Sequence, residues 1–181
     1  MGRIVLCRHG ATENNALGQF LSFSDPPLSR AGRMQCERLR EDLRRSAFAR
    51  CYVSPMRRCL QTREIAAPDV PFTIEDALRE VSFGDWEGKT MNWLESHVPD
   101  QVADRRRDPV TFRPPGGESF EDVARRLEPL LDALRSNRAA LVVGHRGTLS
   151  VLERLLRGMP LSSKAVGSLE PAEFHVIETL R

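Results

Sequence analysis

The chain has 181 residues, 40% of them hydrophobic and 29% charged, with a formal net charge of +2. This length and balance describe one domain with a real core and exclude a disordered chain. The small net charge gives no argument for nucleic acid or for a membrane surface.

The chain opens on a strand-like run, Ile4-Val5-Leu6-Cys7, without a basic leader ahead of a long apolar stretch. No signal peptide is therefore expected. No apolar run approaches the roughly 20 residues that a membrane span needs, and a cytoplasmic location is expected. The four cysteines, Cys7, Cys36, Cys51 and Cys59, form no Cys-x-x-Cys pair. They read as buried free thiols, with no zinc site and no disulfide framework.

Strand and helix signals then alternate, which predicts an α/β fold with a mostly parallel sheet. Arg3 to Cys7 is a β-branched run ending at Arg8-His9-Gly10. Ser29 to Phe48 has helical spacing, with Met34, Leu39 and Leu43 on one face. Cys51-Tyr52-Val53 is a short strand, followed by Ser54-Pro55 and a helix to about Ala67. Phe72 to Ile74 is another strand. Residues 84–117 are polar, carry Trp86 and Trp93, include Arg105-Arg106-Arg107 and end in Pro114-Pro115-Gly116-Gly117. They read as an insertion with short helices that walls a pocket. The arginine run, balanced by Asp104 and Asp108, reads as a solvated helix face. Ser119 with Asp122 caps an amphipathic helix carrying Phe120, Val123, Leu127, Leu130, Leu131 and Leu134, which Pro129 should kink. Ala140 to Val143 is the next strand, ending at Gly144-His145. A helix follows to about Leu156, and residues 165–179 read as one or two edge strands. No internal repeat interrupts a single domain spanning residues 1–181.

Ligands of a parallel sheet bind outside the carboxyl ends of its strands. Two of the four histidines, His9 and His145, fall just there, each beside a glycine. Neutral imidazole is a good nucleophile near pH 7. Transfer of a phosphoryl group is mainly positioning and stabilisation of its oxygens. The basic residues other than Lys89 and Lys164 are all arginine. Most read as the codon bias of a GC-rich genome, but arginine's planar fork also suits oxyanions. Arg8 would supply such a fork, and Arg57 or Arg58 a second. Gly10 would let the backbone approach the phosphate. A protonated His145 would add a further donor. Such a site needs no metal, and nothing in the chain resembles a carboxylate cage for magnesium. The leaving oxygen needs a proton, for which Glu80, Asp85 and Glu87 are the candidates.

Arg8-His9-Gly10-Ala11-Thr12-Glu13-Asn14-Asn15 resembles the Arg-His-Gly signature of the histidine phosphatase superfamily, in the branch of cofactor-dependent phosphoglycerate mutase. The likeness continues in Asp25-Pro26-Pro27-Leu28-Ser29 with Gly32, in Ser54 through Thr62, in Glu80 through Gly88, in Pro115 through Ser119 and in Val142 through His145. It implies a three-layer α/β/α sandwich with a mostly parallel central sheet. It implies His9 as the phosphorylated nucleophile and Glu80 as proton donor and acceptor, with Arg8, Asn15, Arg58 and His145 around the phosphate. It thereby selects Arg58 over Arg57 and Glu80 over its neighbours.

Two positions depart from the pattern. Ala11 stands where the branch usually has Glu or Gln, and Arg146 where a glycine commonly follows the second histidine. Arg146 is expected to add a donor at the pocket mouth for a second acidic group. Mutases of the branch carry a bigger insertion and a closing tail. The short insertion and early end here favour a metal-independent phosphomonoesterase acting on a small phosphorylated metabolite, similar to α-ribazole phosphatase, with no cofactor. The alternatives are a cofactor-dependent phosphoglycerate mutase and a non-catalytic phospholigand-binding module. A homodimer is common in the family, and no feature of the sequence decides it. Neither nucleic acid nor a membrane is an expected partner.

Overall fold

The computed structural model describes residues 2–137, 139–163 and 167–179. The strands are β1 (Gly2–Arg8), β2 (Arg50–Val53), β3 (Phe72–Ile74), β4 (Ala139–Gly144) and β5 (Phe174–Thr179). The α-helices are α1 (Glu13–Ala16), α2 (Arg30–Leu43), α3 (Arg57–Ala66), α4 (Met91–His97), α5 (Pro99–Arg107), α6 (Phe120–Ser136) and α7 (Arg146–Arg157). Among the described residues, the strands form one sheet in the order β3-β2-β4-β1-β5. Strands β3, β2, β4 and β1 run parallel, and β5 pairs antiparallel with β1.

Parallel strands buried on both faces read as continuous apolar runs, and β1 and β4 do so: Ile4 to Cys7 and Ala140 to Val143 are at most 1% exposed. Side chains alternate between faces. Ile4, Leu6, Ala140 and Val142 join Leu127, Leu134, Leu149 and Leu152 of α6 and α7 on one side. Val5, Cys7, Leu141 and Val143 meet Leu39 and Leu43 of α2 and Cys59 of α3 on the other. The result is three layers, α6/α7, sheet and α2/α3, as the sequence predicts. Each fully buried aliphatic side chain contributes about 1.5–3 kcal/mol. All four cysteines are buried free thiols.

Two expectations for α2 change, its buried face and its end. The buried stripe of α2 is Gly32, Cys36, Leu39 and Leu43, whereas Met34 is exposed. Met34 is offset by about 200° from Cys36 at 100° per residue, so it cannot share that face. The helix also stops at Leu43, short of Phe48. The expected edge is one strand, β5, preceded by a turn at Glu170–Glu173 whose backbone binds Arg8 and His9, and residues 165 and 166 lie outside the described residues. Helix α6 is continuous through Pro129. Arg125, whose carbonyl that proline leaves without its usual partner, lies on the exposed face, where water reaches it.

Residues 84–117 carry short helices, as predicted, and a cluster of their own. Trp86, Leu94 and Val102 are buried together, with Phe20, Phe83 and Phe112 against them. No helix among the described residues is long and apolar enough to cross a membrane.

Candidate active site

Main-chain hydrogen bonds lock the carboxyl ends of three strands together. The His9 amide donates to the Gly144 carbonyl and the Ser54 amide to the Val143 carbonyl, each at 3.0 Å. His9 is therefore fixed where β1 ends, with 4% of its surface exposed. Its Nδ1 lies 2.7 Å from the Gly10 carbonyl oxygen. A carbonyl only accepts, so Nδ1 carries the ring proton and Nε2 keeps its lone pair. Burial, then the charges of Arg58 and Arg8, push the His9 pKa down to about 3, against the opposite pull of the Gly10 bond. The ring is neutral at pH 7, as a nucleophile requires.

Two arginines flank it. Arg8 donates from Nη1 to the Leu169 carbonyl at 2.9 Å and stands 3.9 Å from Glu170. Burial lowers its pKa, and Arg146 and Arg58 add to that against Glu80 and Glu170. Arg58, 1% exposed, donates from Nη1 to the Ser24 carbonyl at 2.9 Å, with Asp25 at 3.7 Å. Nε of Arg8 and Nη2 of Arg58 are buried with no partner among the described residues. A buried donor without a partner costs about 1–3 kcal/mol, more when charged. Two such donors facing one cleft are what an anion would relieve. The loop that receives Arg58 is itself held by Glu87, which accepts from the Ser22 amide at 2.7 Å, the Ser22 hydroxyl and the Ser24 amide at 3.0 Å. Burial alone would raise the Glu87 pKa, but these hydrogen bonds outweigh it and lower it.

Glu80 lines the cleft against the first turn of α7. Its carboxylate accepts from the amides of Val81 (2.9 Å), Thr148 (3.0 Å) and Gly147 (3.2 Å). Gly147 is required here by close approach: a Cβ would stand 2.8 Å from Glu80 Oε1 and 2.7 Å from a Val81 methyl. Arg126 of α6 holds the same segment from behind. It donates to the carbonyls of Ala77, Arg79 and Glu80 and pairs with Glu118 at 3.0 Å.

The remaining predicted residues divide. Asn15 lines the cleft. Its side-chain oxygen accepts from the Thr12 amide at 2.9 Å, which leaves its N–H groups as the unused donors. Arg146, exposed at the start of α7, lines it too. Gly10 is not among the residues that line the cleft. Its amide donates to Thr62 Oγ1 at 3.0 Å, and a Cβ there would meet Cys36 Sγ and the Gly32 carbonyl, both at 2.7 Å. Gly10 is needed for the packing of α2. His145 is wholly buried rather than on the cleft surface. Its ring meets that of His9 edge-on, centroids 5.1 Å apart. Its Nε2 shares a 2.8 Å hydrogen bond with Ser54 Oγ, and its Nδ1 has no partner among the described residues. Burial, then His9, Arg58 and Arg8, drive its pKa well below the ordinary value. The expected protonated donor is thus a neutral one, for want of water or a carboxylate to stabilise the charge.

Sequence reasoning missed two residues. Arg126 was lost among the many arginines. Arg105, read as part of a solvated face, enters the cleft instead. Its guanidinium lies 5.4 Å from the ring centres of both Phe20 and Trp86, and its Nη1 is buried with no partner among the described residues. The available signal was Val98, Val102 and Arg105, which recur at helical spacing on one face.

His9, Arg8, Arg58 and Glu80 share one cleft of about 730 Å³ with Arg105 and Arg146, a size ordinary for a small-molecule site. The histidine phosphatase superfamily (branch 1) pattern matches residues 4–180. The chain is 34% identical over 151 residues to mouse 6-phosphofructo-2-kinase/fructose-2,6-bisphosphatase 1, which covers 82% of this chain and 31% of that protein. The chain thus spans about a third of the length of the first such relatives. It is 34% identical over 166 residues to the adenosylcobalamin/alpha-ribazole phosphatase of Salmonella typhimurium, covering 89% of this chain and 82% of that one. Its fold is similar to that of mycobacterial glucosyl-3-phosphoglycerate phosphatase, with a TM-score of 0.87 at 28% identity, over 97% of this chain and 89% of that one.

Proposed function

The chain belongs to branch 1 of the histidine phosphatase superfamily, and on that premise we propose that it is a phosphomonoesterase that passes the phosphoryl group through His9. The observation that carries this reading is the state of His9: buried, neutral, its Nδ1 proton held by the Gly10 carbonyl, its Nε2 free between two arginines.

In the first step His9 Nε2 attacks phosphorus and the ester P–O bond breaks. The Glu80 carboxyl gives its proton to the leaving oxygen, so that an alcohol departs. Arg8 and Arg58 stabilise the charge on the non-bridging oxygens through the donors that lack partners. The neutral His145 offers Nδ1–H when Nε2 accepts from the Ser54 hydroxyl. In the second step Glu80 takes a proton from water, the water oxygen attacks phosphorus and the P–N bond breaks. Inorganic phosphate leaves and His9 returns to its starting state. Asn15 and Arg146 complete the donor set at the mouth.

The substrate is a small phosphorylated metabolite. Arg105, with a buried unpartnered donor in the same cleft, supports one that bears a second acidic group. The test is phosphate release from 3-phosphoglycerate, α-ribazole 5′-phosphate and 4-nitrophenyl phosphate, run beside an isomerisation assay with 2,3-bisphosphoglycerate. Net phosphate release is expected. Robust isomerisation without it would replace this reading with the mutase one.

A further inference from the structure

The cleft is also lined by residues that the phosphoryl chemistry leaves unused, Ser150, Glu153 and Arg154 of α7 with Gly167, Ser168 and His175. Glu153 is 4% exposed, an unusual depth for a carboxylate. It is fully satisfied there: Arg157 donates to one oxygen at 3.0 Å and His175 Nδ1 lies 3.0 Å from the other. A carboxylate at Nδ1 fixes the tautomer of the neutral ring. Nδ1 carries the proton, and Nε2 presents its lone pair.

That Nε2 makes no hydrogen bond among the described residues. Gly167 lies beside it, at a φ of +83° that favours glycine, and a Cβ there would make ordinary van der Waals contact with Nε2 and Cε1 at 3.5 Å. The ring is also indexed to the reaction centre. His175 pairs with Leu6 on β1, three residues before His9, or about 10 Å along the strand at about 3.3 Å per residue. The backbone between the two ends is tied down, since the Leu169 carbonyl receives Arg8 and the Ala172 amide donates to the carbonyls of Arg8 and His9.

We propose that His175 Nε2, oriented by Glu153, is a specificity subsite that accepts a hydrogen bond from a hydroxyl of a sugar-sized leaving group. This rests on the phosphomonoesterase reading. A carboxylate–histidine pair that merely tied β5 to α7 would not need to present its ring to the cleft.

Two variants separate these roles. H175N keeps an amide N–H at the position of Nδ1, and so the bond to Glu153, but has nothing at Nε2. H175Q reaches the Nε2 position. Their kinetics and Tm are compared with the wild type on a phosphorylated disaccharide, trehalose 6-phosphate, and on 4-nitrophenyl phosphate, which carries no hydroxyl. H175N should raise KM for the disaccharide phosphate about tenfold, the loss of one good hydrogen bond, with kcat nearly kept. The loss on the aryl phosphate should be several times smaller, and H175Q should restore most of the difference. Equal losses on both substrates, or a loss that follows Tm in both variants, would overturn the subsite. So would a wild type that hydrolyses the aryl phosphate and not the disaccharide. A wild type that hydrolyses neither would overturn the phosphomonoesterase reading itself.

Discussion

The floor of the cleft and the wall made by residues 84–117 are built on different principles. On the floor, His9, Ser54 and His145 follow three adjacent parallel strands, and main-chain bonds between strand ends fix their spacing. The wall stands on a small core of its own around Trp86, Leu94 and Val102. The segment leading into it is tied down by a side chain, Glu87 to Ser22 and Ser24, whereas Glu80 is bonded to the helix that follows β4. Positions set by a sheet are hard to vary, and positions set by a few side-chain ties are easy to vary. The difference assigns the chemistry to the floor and the choice of substrate to the wall.

The sharpest way to break that division is to disturb the floor without touching a charged group. G147A would force a Cβ to within 2.8 Å of Glu80 Oε1. Displacing the carboxylate by about an ångström should lower kcat by about 100-fold, with KM little changed. An unchanged kcat would show that Glu80 is not the proton carrier. R126A comes next. It strips the ties that hold residues 77–80 and leaves Glu118 without its cation. A loss of about 10-fold in kcat is expected, with about 1–3 kcal/mol of stability, read from initial rates and urea unfolding. A stability loss without a kcat loss would make Arg126 structural only.

The wall should respond differently. R105A should lower kcat/KM on 3-phosphoglycerate about 10-fold, as for a charge-assisted hydrogen bond, and on 4-nitrophenyl phosphate by much less. Arg146→Ala in the same assay shows whether the mouth shares that work. Equal losses on both substrates would remove the second-anion role.

The buried rings of the floor are read separately, through stability against pH. The folded-state pKa of His9 is about 3, and that of His145 is also depressed. The unfolded chain binds protons on these rings near pH 6.5. Their contribution is therefore complete above pH 6.5 and is lost as pH falls below it. The urea midpoint should fall between pH 7 and 4.5, and H145N should flatten that fall.

The same contrast explains what could be read from the sequence. His9 and His145 announce themselves because each follows a short apolar strand and neighbours a glycine, a signal confined to half a dozen residues. The core face of α6 is equally local, since Val123, Leu127, Leu130 and Leu134 recur at helical spacing. Arg126 was not legible, because it acts on Ala77 and Arg79, 49 and 47 residues away. Arg105 was obscured by its exposed neighbours Arg106 and Arg107. The packing of Gly10 against α2 is not legible in the sequence, because it depends on a long-range approach that spacing does not encode. His145 was placed at the right strand end, but its charge state depends on burial and on three cations around it.

The central claim is a phosphoryl group on His9 Nε2, and it is tested most directly by trapping. Protein mixed with a labelled phosphomonoester and quenched in alkali should carry an acid-labile, base-stable phosphate on the peptide containing His9. H9A should give neither adduct nor turnover while still binding vanadate. Turnover that survives H9A, or an adduct on another residue, would contradict the account.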